Sequence, residues 1–176
     1  MRITTKFGLG DSAEWLATAY GAAGGPAVRI ARCFAFVGPY LPLTAGYAVG
    51  NFIGDALRGE TIKIAGDGTP RRSYLYAADL AWWLWTILLR GDAARPYNVG
   101  SEADLSILEL AETVARVLGE GRLGGEVVRQ AEPGALPQRY VPDTSRAASE
   151  LGLRSVVSLE DGIARTAAWH KTTSLT

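Results

Sequence analysis

The sequence predicts an α/β protein, because segments with helix and strand patterns alternate along its length. A strand is predicted over 28–36, where branched and aromatic residues end at the turn-forming pair Gly38-Pro39. A helix is predicted over 107–118, where apolar residues recur at helical spacing and Gly119 follows. With 176 residues, 48% of them hydrophobic, the chain is large enough to bury roughly two thirds of its unfolded surface.

The remaining elements follow from capping residues, glycines and short apolar runs. Helices are predicted over 12–20, 45–58, 77–89, 145–151 and 159–169, and strands over 61–65, 73–76, 95–99 and 127–128. The segment 133–142 is predicted to be an irregular loop, and residues 171–176 a frayed tail.

The predicted strand 28–36 has apolar side chains at both parities, apart from Arg29 and Arg32. This pattern is typical of a strand that is covered on both faces, as in parallel sheets. We therefore expect neighbouring strands on either side of it and interpret Cys33 as a small core residue.

The apolar run 77–89 is 13 residues long, well short of the ~20 residues that cross a bilayer as a helix. Trp82, Trp83 and Trp85 would point in nearly every direction around this helix. We interpret them as core or subunit contacts and not as a ligand-stacking surface.

Charge and cysteine content exclude several classes of partner. The chain has 18 Lys and Arg and 18 Asp and Glu, and its basic residues form no run beyond Arg71-Arg72, which excludes an electrostatic surface for nucleic acid or anionic membrane. The start of the sequence has no apolar export segment, and the single cysteine cannot form an internal disulfide. We expect a cytoplasmic protein.

Two further site types are not favoured. No spaced Cys and His residues form a metal-ligand pattern, His170 is the single histidine, and Glu109 and Glu112 are interpreted as a solvated helix face. The string Gly119-x-Gly121-x-x-Gly124 has dinucleotide-binding spacing but follows a helix instead of a strand. A helix stop and a loop explain it better, so no cofactor-binding residue is assigned.

The stretch GDGTPRRSYLYAADL, residues 66–80, resembles a segment of the extended short-chain dehydrogenase family, the NAD-dependent epimerases and dehydratases of nucleotide sugars. The resemblance continues from about residue 7 to 168 and includes VRIARCFAFVGPY and PQRYVPDTSRAASELG. It implies the C-terminal portion of a Rossmann-like doubly wound fold plus a small α/β substrate-binding domain. Residues 1–44 would be the remnant of the dinucleotide-binding domain, 45–170 the substrate-binding domain with an interleaved return strand, and 171–176 a tail.

The same resemblance implies substrate-binding residues. Arg72 would contact the diphosphate of a nucleotide sugar, Arg139 would be a second phosphate ligand, and Asn51 and Lys63 would border the nucleotide. Two guanidinium groups that converge on one diphosphate are physically reasonable, because each matches phosphate oxygens in a bidentate manner. Four further positions have other roles or depart from the family pattern. Asp143 is interpreted as a helix cap and Arg71 as solvated, and Ala35 and Ala65 replace an Asn and an aromatic residue common in the family.

The family's proton-transfer chemistry uses a Tyr and a Lys four residues later, and this pair is absent here. Phe7 and Asp11 occupy the matching positions; in an alternative alignment a one-residue deletion removes the Lys. Phe has no ionisable hydroxyl, and Asp is not cationic. No catalytic residue is therefore assigned.

These features predict the C-terminal, substrate-binding part of a nucleotide-sugar epimerase/dehydratase-type protein that does not bind NAD or NADP or turn over alone. A non-catalytic nucleotide-sugar-binding or interaction module, or a truncated remnant of the enzyme, is the alternative. Because the predicted strand 28–36 needs neighbours, we expect a homo-oligomer or a separate N-terminal chain as partner.

Overall fold

The computed structural model describes residues 9–119, 125–128 and 136–173. The helices are Leu9–Ala22 (α1), Ala48–Leu57 (α2), Ala77–Arg90 (α3), Ile107–Leu118 (α4), Ser145–Leu151 (α5) and Leu159–Thr173 (α6). The strands are Ile30–Cys33 (β1), Phe36–Val37 (β2), Ile62–Ile64 (β3), Arg71–Arg72 (β4), Leu75–Tyr76 (β5), Pro96–Val99 (β6), Leu105–Ser106 (β7), Gly125–Val127 (β8) and Arg139–Tyr140 (β9). The predicted α/β class is confirmed.

The strands form small sheets that are mostly parallel. β1 pairs with β6, β2 with β5 and β3 with β8, each in parallel. β4 lies at the centre of a three-stranded sheet, antiparallel to β7 and parallel to β9. We call this three-stranded sheet of β7, β4 and β9 the central sheet.

The predicted strand 28–36 is wrong in one respect, because it divides into β1 and β2. The Phe34 amide donates to the Val99 carbonyl at 3.0 Å and extends the pairing with β6. The next carbonyl, that of Ala35, accepts from the Leu75 amide at 3.0 Å. The chain therefore changes partner between residues 34 and 35, and this change separates the two strands.

Two other predicted segments are corrected around the central sheet. Strand pairing begins at the arginine pair 71–72 and resumes at 75–76, so the predicted strand 73–76 is shorter and a separate strand precedes it. The predicted loop 133–142 contains β9. Two-residue strands of this kind are held by tertiary pairing and leave almost no periodicity in the sequence.

The main core lies between α2, α4 and α6 and around β3. Its fully buried members include Ile53, Ile62, Leu110, Val114 and Ile163. α4 begins with a capping box, in which the Ser106 hydroxyl accepts from the Glu109 amide at 3.1 Å and the Glu109 carboxylate accepts from the Ser106 amide at 2.6 Å. Glu109 and Glu112 are both exposed, as expected for a solvated helix face, and Glu109 also closes this capping box.

The three tryptophans of α3 have different environments. Trp83 is 1% exposed and joins a second core with Tyr97 and Leu153, whereas Trp82 and Trp85 are 66% and 62% exposed. The outer face of α3 is therefore apolar and is not covered by any of the residues that the structure describes. None of the helices in the described part is long and apolar enough to span a membrane.

β1 is covered less completely than its sequence predicts. Ile30 is buried, but Arg32 and Cys33 are exposed, so the interpretation of Cys33 as a core residue is wrong. β1 also pairs along one edge only, with β6, among the described residues. Arg32 instead forms a double hydrogen bond with Glu14 of α1, at 2.8 and 2.7 Å.

Candidate functional site

The central sheet directs two consecutive arginines to opposite faces. Successive side chains of a strand point to opposite sides, and paired residues of parallel neighbours point to the same side. Arg71 is paired with Arg139, and Arg72 is paired with Tyr140. One face of this sheet therefore has Arg71 and Arg139, and the other has Arg72 and Tyr140.

On the first face, a single carboxylate bridges both arginines. Arg71 Nε donates to Asp104 Oδ1 and Arg139 Nε donates to Asp104 Oδ2, each at 2.7 Å. Burial raises the pKa of Asp104, but the hydrogen bonds from Arg139 and Arg71 outweigh it, so the carboxyl pKa is below its ordinary value. We call Arg71, Asp104 and Arg139 the Asp104 bridge.

On the second face, Arg72 is held by backbone carbonyls and lies beside an aromatic ring. Its Nη1 donates to the Arg71 carbonyl at 2.8 Å and to the Gln138 carbonyl at 3.3 Å. Its guanidinium carbon is 6.0 Å from the centre of the Tyr140 ring, which lies 4.8 Å from the Phe34 ring. Both of these hydrogen bonds use Nη1, so neither of them occupies the Nε–H or Nη2 donors. We call Arg72, Tyr140 and Phe34 the Arg72 face.

The Arg72 face lies beside the carboxyl end of a parallel strand pair. Phe34 directly follows β1, which runs parallel to β6. In open α/β sheets, ligands bind outside the carboxyl ends of the strands. The location therefore fits a ligand-binding role.

Two tyrosines near Arg72 remain protonated at neutral pH. Burial raises the pKa of Tyr74 to about 12, and the nearby Arg72 charge opposes this shift only in part. Burial also raises the pKa of Tyr140. These phenols can donate hydrogen bonds, but neither is suited to act as a general base near neutral pH.

The two arginines predicted to bind phosphate are not brought together. Arg72 and Arg139 lie on adjacent strands but point to opposite faces, and Asp104 already accepts from Arg139. Their predicted roles as substrate ligands remain predictions, but the expected convergence of the two groups is not what the structure shows. The interpretation of Arg71 as solvated is wrong, because its half-buried side chain is paired with Asp104.

The two residues predicted to border the nucleotide lie on separate elements. Asn51 is in α2, and its amide oxygen is buried without a hydrogen-bond partner among the described residues. Lys63 is the exposed central residue of β3, and its amide donates to Asp55 Oδ2 at 3.4 Å. A buried amide oxygen without a partner is unusual and is consistent with a site for a ligand donor.

The predicted helix cap Asp143 and the predicted catalytic-helix residue Asp11 both lie near the start of a helix. The N-cap of α5 is Thr144, one residue after the predicted cap Asp143, but Asp143 Oδ1 accepts from the Ser145 amide at 2.9 Å and so still contacts the first turn of the helix. The hydrogen bond from the Ser145 hydroxyl and then that from its amide lower the pKa of Asp143. Asp11 lies in the first turn of α1, and Phe7 lies outside the described residues.

The glycine string does not fit a dinucleotide site. Gly119 ends α4, and β8 begins at Gly125, so the order is helix, glycines, strand. A pyrophosphate site of this type needs a strand before the glycines and a helix N-terminus after them. Gly121 and Gly124 lie outside the described residues. The part of the chain that the structure describes therefore offers no fit for NAD at this position.

Sequence reasoning missed Tyr140, Phe34, Gln138 and Asp104. Each becomes relevant only through the register of β4 with β9 and β7, and a two-residue strand in a predicted loop gives no signal of register.

Comparison with known proteins places these features in a family context. A model of the NAD dependent epimerase/dehydratase family matches residues 12–100. UDP-glucuronic acid decarboxylase 1 of Xenopus tropicalis is 35% identical over 154 residues, which cover 88% of this chain and 36% of that protein. UDP-glucuronic acid decarboxylase 6 of Arabidopsis thaliana is 34% identical over 151 residues, 86% of this chain and 43% of that protein.

Solved structures give the same fold. Pal from Bacillus thuringiensis superposes with a TM-score of 0.78 at 27% identity, over 93% of this chain and 51% of that one. A dTDP-glucose 4,6-dehydratase from Streptomyces venezuelae, solved with NAD bound, superposes with a TM-score of 0.74 at 29% identity, over 92% of this chain and 49% of that one. The chain thus spans about half the length of these structures and less of the curated relatives. The predicted Rossmann-like fold is confirmed.

Proposed function

The chain belongs to the NAD dependent epimerase/dehydratase family, and we propose that it is the substrate-binding part of a nucleotide-sugar epimerase/dehydratase-type protein. The observation that carries the proposal is the Arg72 face, where both carbonyl contacts of the guanidinium use Nη1 and the Tyr140 ring lies beside it. The substrate class follows from relatives named UDP-glucuronic acid decarboxylases and a dTDP-glucose dehydratase. Both names point to a nucleoside diphosphate sugar.

Arg72 acts as the diphosphate ligand in this proposal. A guanidinium donates two parallel hydrogen bonds to phosphate oxygens, and a hydrogen bond to a charged group contributes about 1.5 to 3 kcal/mol. The protonated Tyr140 phenol is a further donor on the same face. Asn51 offers an unpartnered amide oxygen to an N–H or O–H group of the nucleotide, and Lys63 offers an exposed cation. Arg139 remains the second predicted ligand.

We propose that the chain alone binds no NAD or NADP and performs no turnover. The glycines of 119–124 have the wrong order of flanking elements for a dinucleotide, Phe7 and Asp11 replace the proton-transfer pair, and the tyrosines near Arg72 have raised pKa values. The chain's own residues would bind and orient the sugar nucleotide. Hydride chemistry would come from NAD held elsewhere.

The division into 1–44, 45–170 and 171–176 carries over as part of this proposal, as does the cytoplasmic location. The edge of β1 that does not face β6 has no strand partner among the described residues, and Trp82 and Trp85 are exposed on α3. We expect another polypeptide segment to cover these features, either a separate N-terminal chain or a second copy of this chain. A monodisperse monomer in sedimentation velocity would contradict this expectation.

A non-catalytic nucleotide-sugar-binding module is the second candidate, and the replacement of the Tyr and Lys pair by Phe7 and Asp11 favours it. A truncated remnant of the enzyme would bind neither a nucleotide sugar nor NAD.

Titration calorimetry of the chain with UDP-glucuronic acid, dTDP-glucose and NAD distinguishes the enzyme's substrate-binding part from the module and from the remnant.

If the chain binds a nucleotide sugar but not NAD, the proposed substrate-binding role is supported. If it still binds the sugar but shows no activity after an N-terminal partner is added, the non-catalytic module is favoured. If the chain binds none of these ligands, the substrate-binding role and the binding module are both rejected, and the chain is a truncated remnant of the enzyme. Arg116→Ala is a suitable control for these titrations, because it removes an exposed arginine paired with Glu160 on a different surface.

A further inference from the structure

We propose, on the basis of the function proposed above, that Arg139 and Asp104 are positioning residues that hold Arg72 from the opposite face of the sheet. Arg139 would then affect substrate affinity without touching the diphosphate. This assigns to Arg139 a role different from the second-ligand role that the sequence predicts, and it gives Asp104 a role that the sequence does not suggest.

The first step concerns how weakly β9 is attached. β9 consists of two residues and pairs with β4 over two positions. The backbone contact that extends this pairing is the Arg71 amide, which donates to the Gln138 carbonyl at 2.7 Å. A ladder this short needs side-chain contacts to fix its position.

The second step is that the Asp104 bridge supplies such contacts across all three strands. Asp104 directly precedes β7, Arg71 is in β4 and Arg139 is in β9, and both carboxylate oxygens accept at 2.7 Å. Arg71 Nη2 also donates to the Asp104 carbonyl at 3.2 Å. The bridge therefore ties the position of β9 to that of β4 and β7.

The third step is that the position of β9 fixes the Arg72 guanidinium. β9 and the residue before it supply the Gln138 carbonyl, at 3.3 Å from Arg72 Nη1, and the Tyr140 ring beside the guanidinium. If β9 moved, Arg72 would lose both contacts and sample other rotamers. A misplacement of about 1 Å in a binding group is enough to weaken its interactions strongly.

The positioning role and the ligand role predict effects of opposite sign. If Arg139 were a diphosphate ligand, Asp104→Asn would release its guanidinium from a competing carboxylate and strengthen binding. If Arg139 positions Arg72, the same substitution loosens β9 and weakens binding. Asp161→Asn is a matched control, because it removes an exposed carboxylate 4.0 Å from an arginine of the same helix.

The experiment is titration calorimetry of UDP-glucuronic acid with the full chain and with Asp104→Asn, Arg139→Lys, Asp161→Asn and each bridge variant combined with Arg72→Ala. We expect Asp104→Asn and Arg139→Lys to weaken binding by roughly tenfold and to have no further effect once Arg72 is Ala, because coupled residues are not additive. Arg139→Lys keeps the positive charge and serves if Asp104→Asn does not fold. Tighter or unchanged binding by Asp104→Asn, or additive effects with Arg72→Ala, would overturn the proposal.

A second readout does not depend on the ligand. We expect hydrogen exchange of the Arg71 amide to accelerate by roughly tenfold in Asp104→Asn, because the Gln138 carbonyl moves away with β9. Unchanged exchange would overturn the positioning role. If the wild-type chain binds no nucleotide sugar, the proposed function fails, and the exchange measurement still decides whether Asp104 holds β9.

Discussion

The two faces of the central sheet present the same side-chain type in two different electrostatic situations. On one face, the charges of Arg71 and Arg139 meet the carboxylate of Asp104, which both approach at 2.7 Å. On the other face, Arg72 is held by neutral carbonyls and lies beside an aromatic ring. A cation matched by an internal carboxylate stabilises the fold, whereas a cation held by carbonyls is available to an external anion.

Arg71 and Arg72 therefore have different roles although they are adjacent in the sequence. In a β-strand, the face to which a side chain points matters more for its role than its sequence neighbours do. Arg71 and Arg72 are consecutive, yet the alternation of side chains separates them completely. If substitutions of Arg71 and of Arg72 changed substrate affinity and the free energy of unfolding to the same extent, the two faces of the sheet would not have different roles.

The largest expected effect is on substrate binding. Arg72→Ala should weaken the binding of a nucleoside diphosphate sugar by roughly tenfold or more, because a charge-assisted contact worth about 1.5 to 3 kcal/mol is lost. Arg71→Ala should weaken binding less, since Arg71 points away from the ligand. Titration of both variants with UDP-glucuronic acid checks the order, and a larger loss in Arg71→Ala would refute the assignment of faces.

The free energy of unfolding should decrease more in Arg71→Ala than in Arg72→Ala, the reverse of the order expected for binding. Arg71→Ala leaves Asp104 with one arginine and should lower the free energy of unfolding by about 1 kcal/mol, the upper end for a partly exposed ion pair. Arg72→Ala removes hydrogen bonds to two neutral carbonyls and breaks no ion pair with a carboxylate among the described residues, so it should lower the free energy of unfolding less. Urea denaturation measures both, and equal losses would show that the Asp104 bridge contributes no extra stability.

A smaller effect is expected from the aromatic ring beside Arg72. Tyr140→Leu should weaken nucleotide-sugar binding by a few-fold, because a cation–π contact of about 0.5 to 1 kcal/mol no longer orients the guanidinium. Tyr140→Phe keeps the ring and separates this effect from that of the hydroxyl. If the Tyr140→Leu variant binds the nucleotide sugar as tightly as the wild-type chain, the ring has no part in orienting Arg72.

The smallest expected effect is a pH dependence of the free energy of unfolding that comes from Asp104, on the face with Arg71 and Arg139. The pKa of Asp104 is below its ordinary value in the folded chain, so its contribution to stability is complete above the unfolded pKa of about 3.9 and is lost as the pH falls through the folded pKa. The difference in unfolding free energy between wild type and Asp104→Asn should therefore shrink between about pH 5 and pH 2. A difference that does not change with pH would argue against an ionised Asp104 in the bridge.

Much of the fold is predictable from the sequence because its helices have strong periodicity or clear ends. The helices 107–118 and 145–151 are predicted at the residues where they occur. The apolar stripe of the first and the Gly152 that ends the second, with φ of 72°, are local signals. The prediction of β1 as a doubly covered strand is less successful, because coverage depends on neighbours that a local pattern cannot supply.

The candidate site is predictable only in part. Arg72 emerges from the resemblance, whereas its partners Tyr140 and Gln138 come from a segment predicted to be a loop. Which face Arg139 occupies depends on a register of two residue pairs, and shifting it by one residue would reverse the assignment. Nonlocal register of this kind is not encoded in any single segment.

The most direct test is a structure of the chain with a bound UDP-sugar. We predict that a diphosphate oxygen lies within about 3 Å of Arg72 Nε or Nη2, on the side of the sheet that has Tyr140, with the Asp104 bridge intact. A diphosphate bound to Arg139 with Asp104 displaced, or one remote from Arg72, would contradict the assignment.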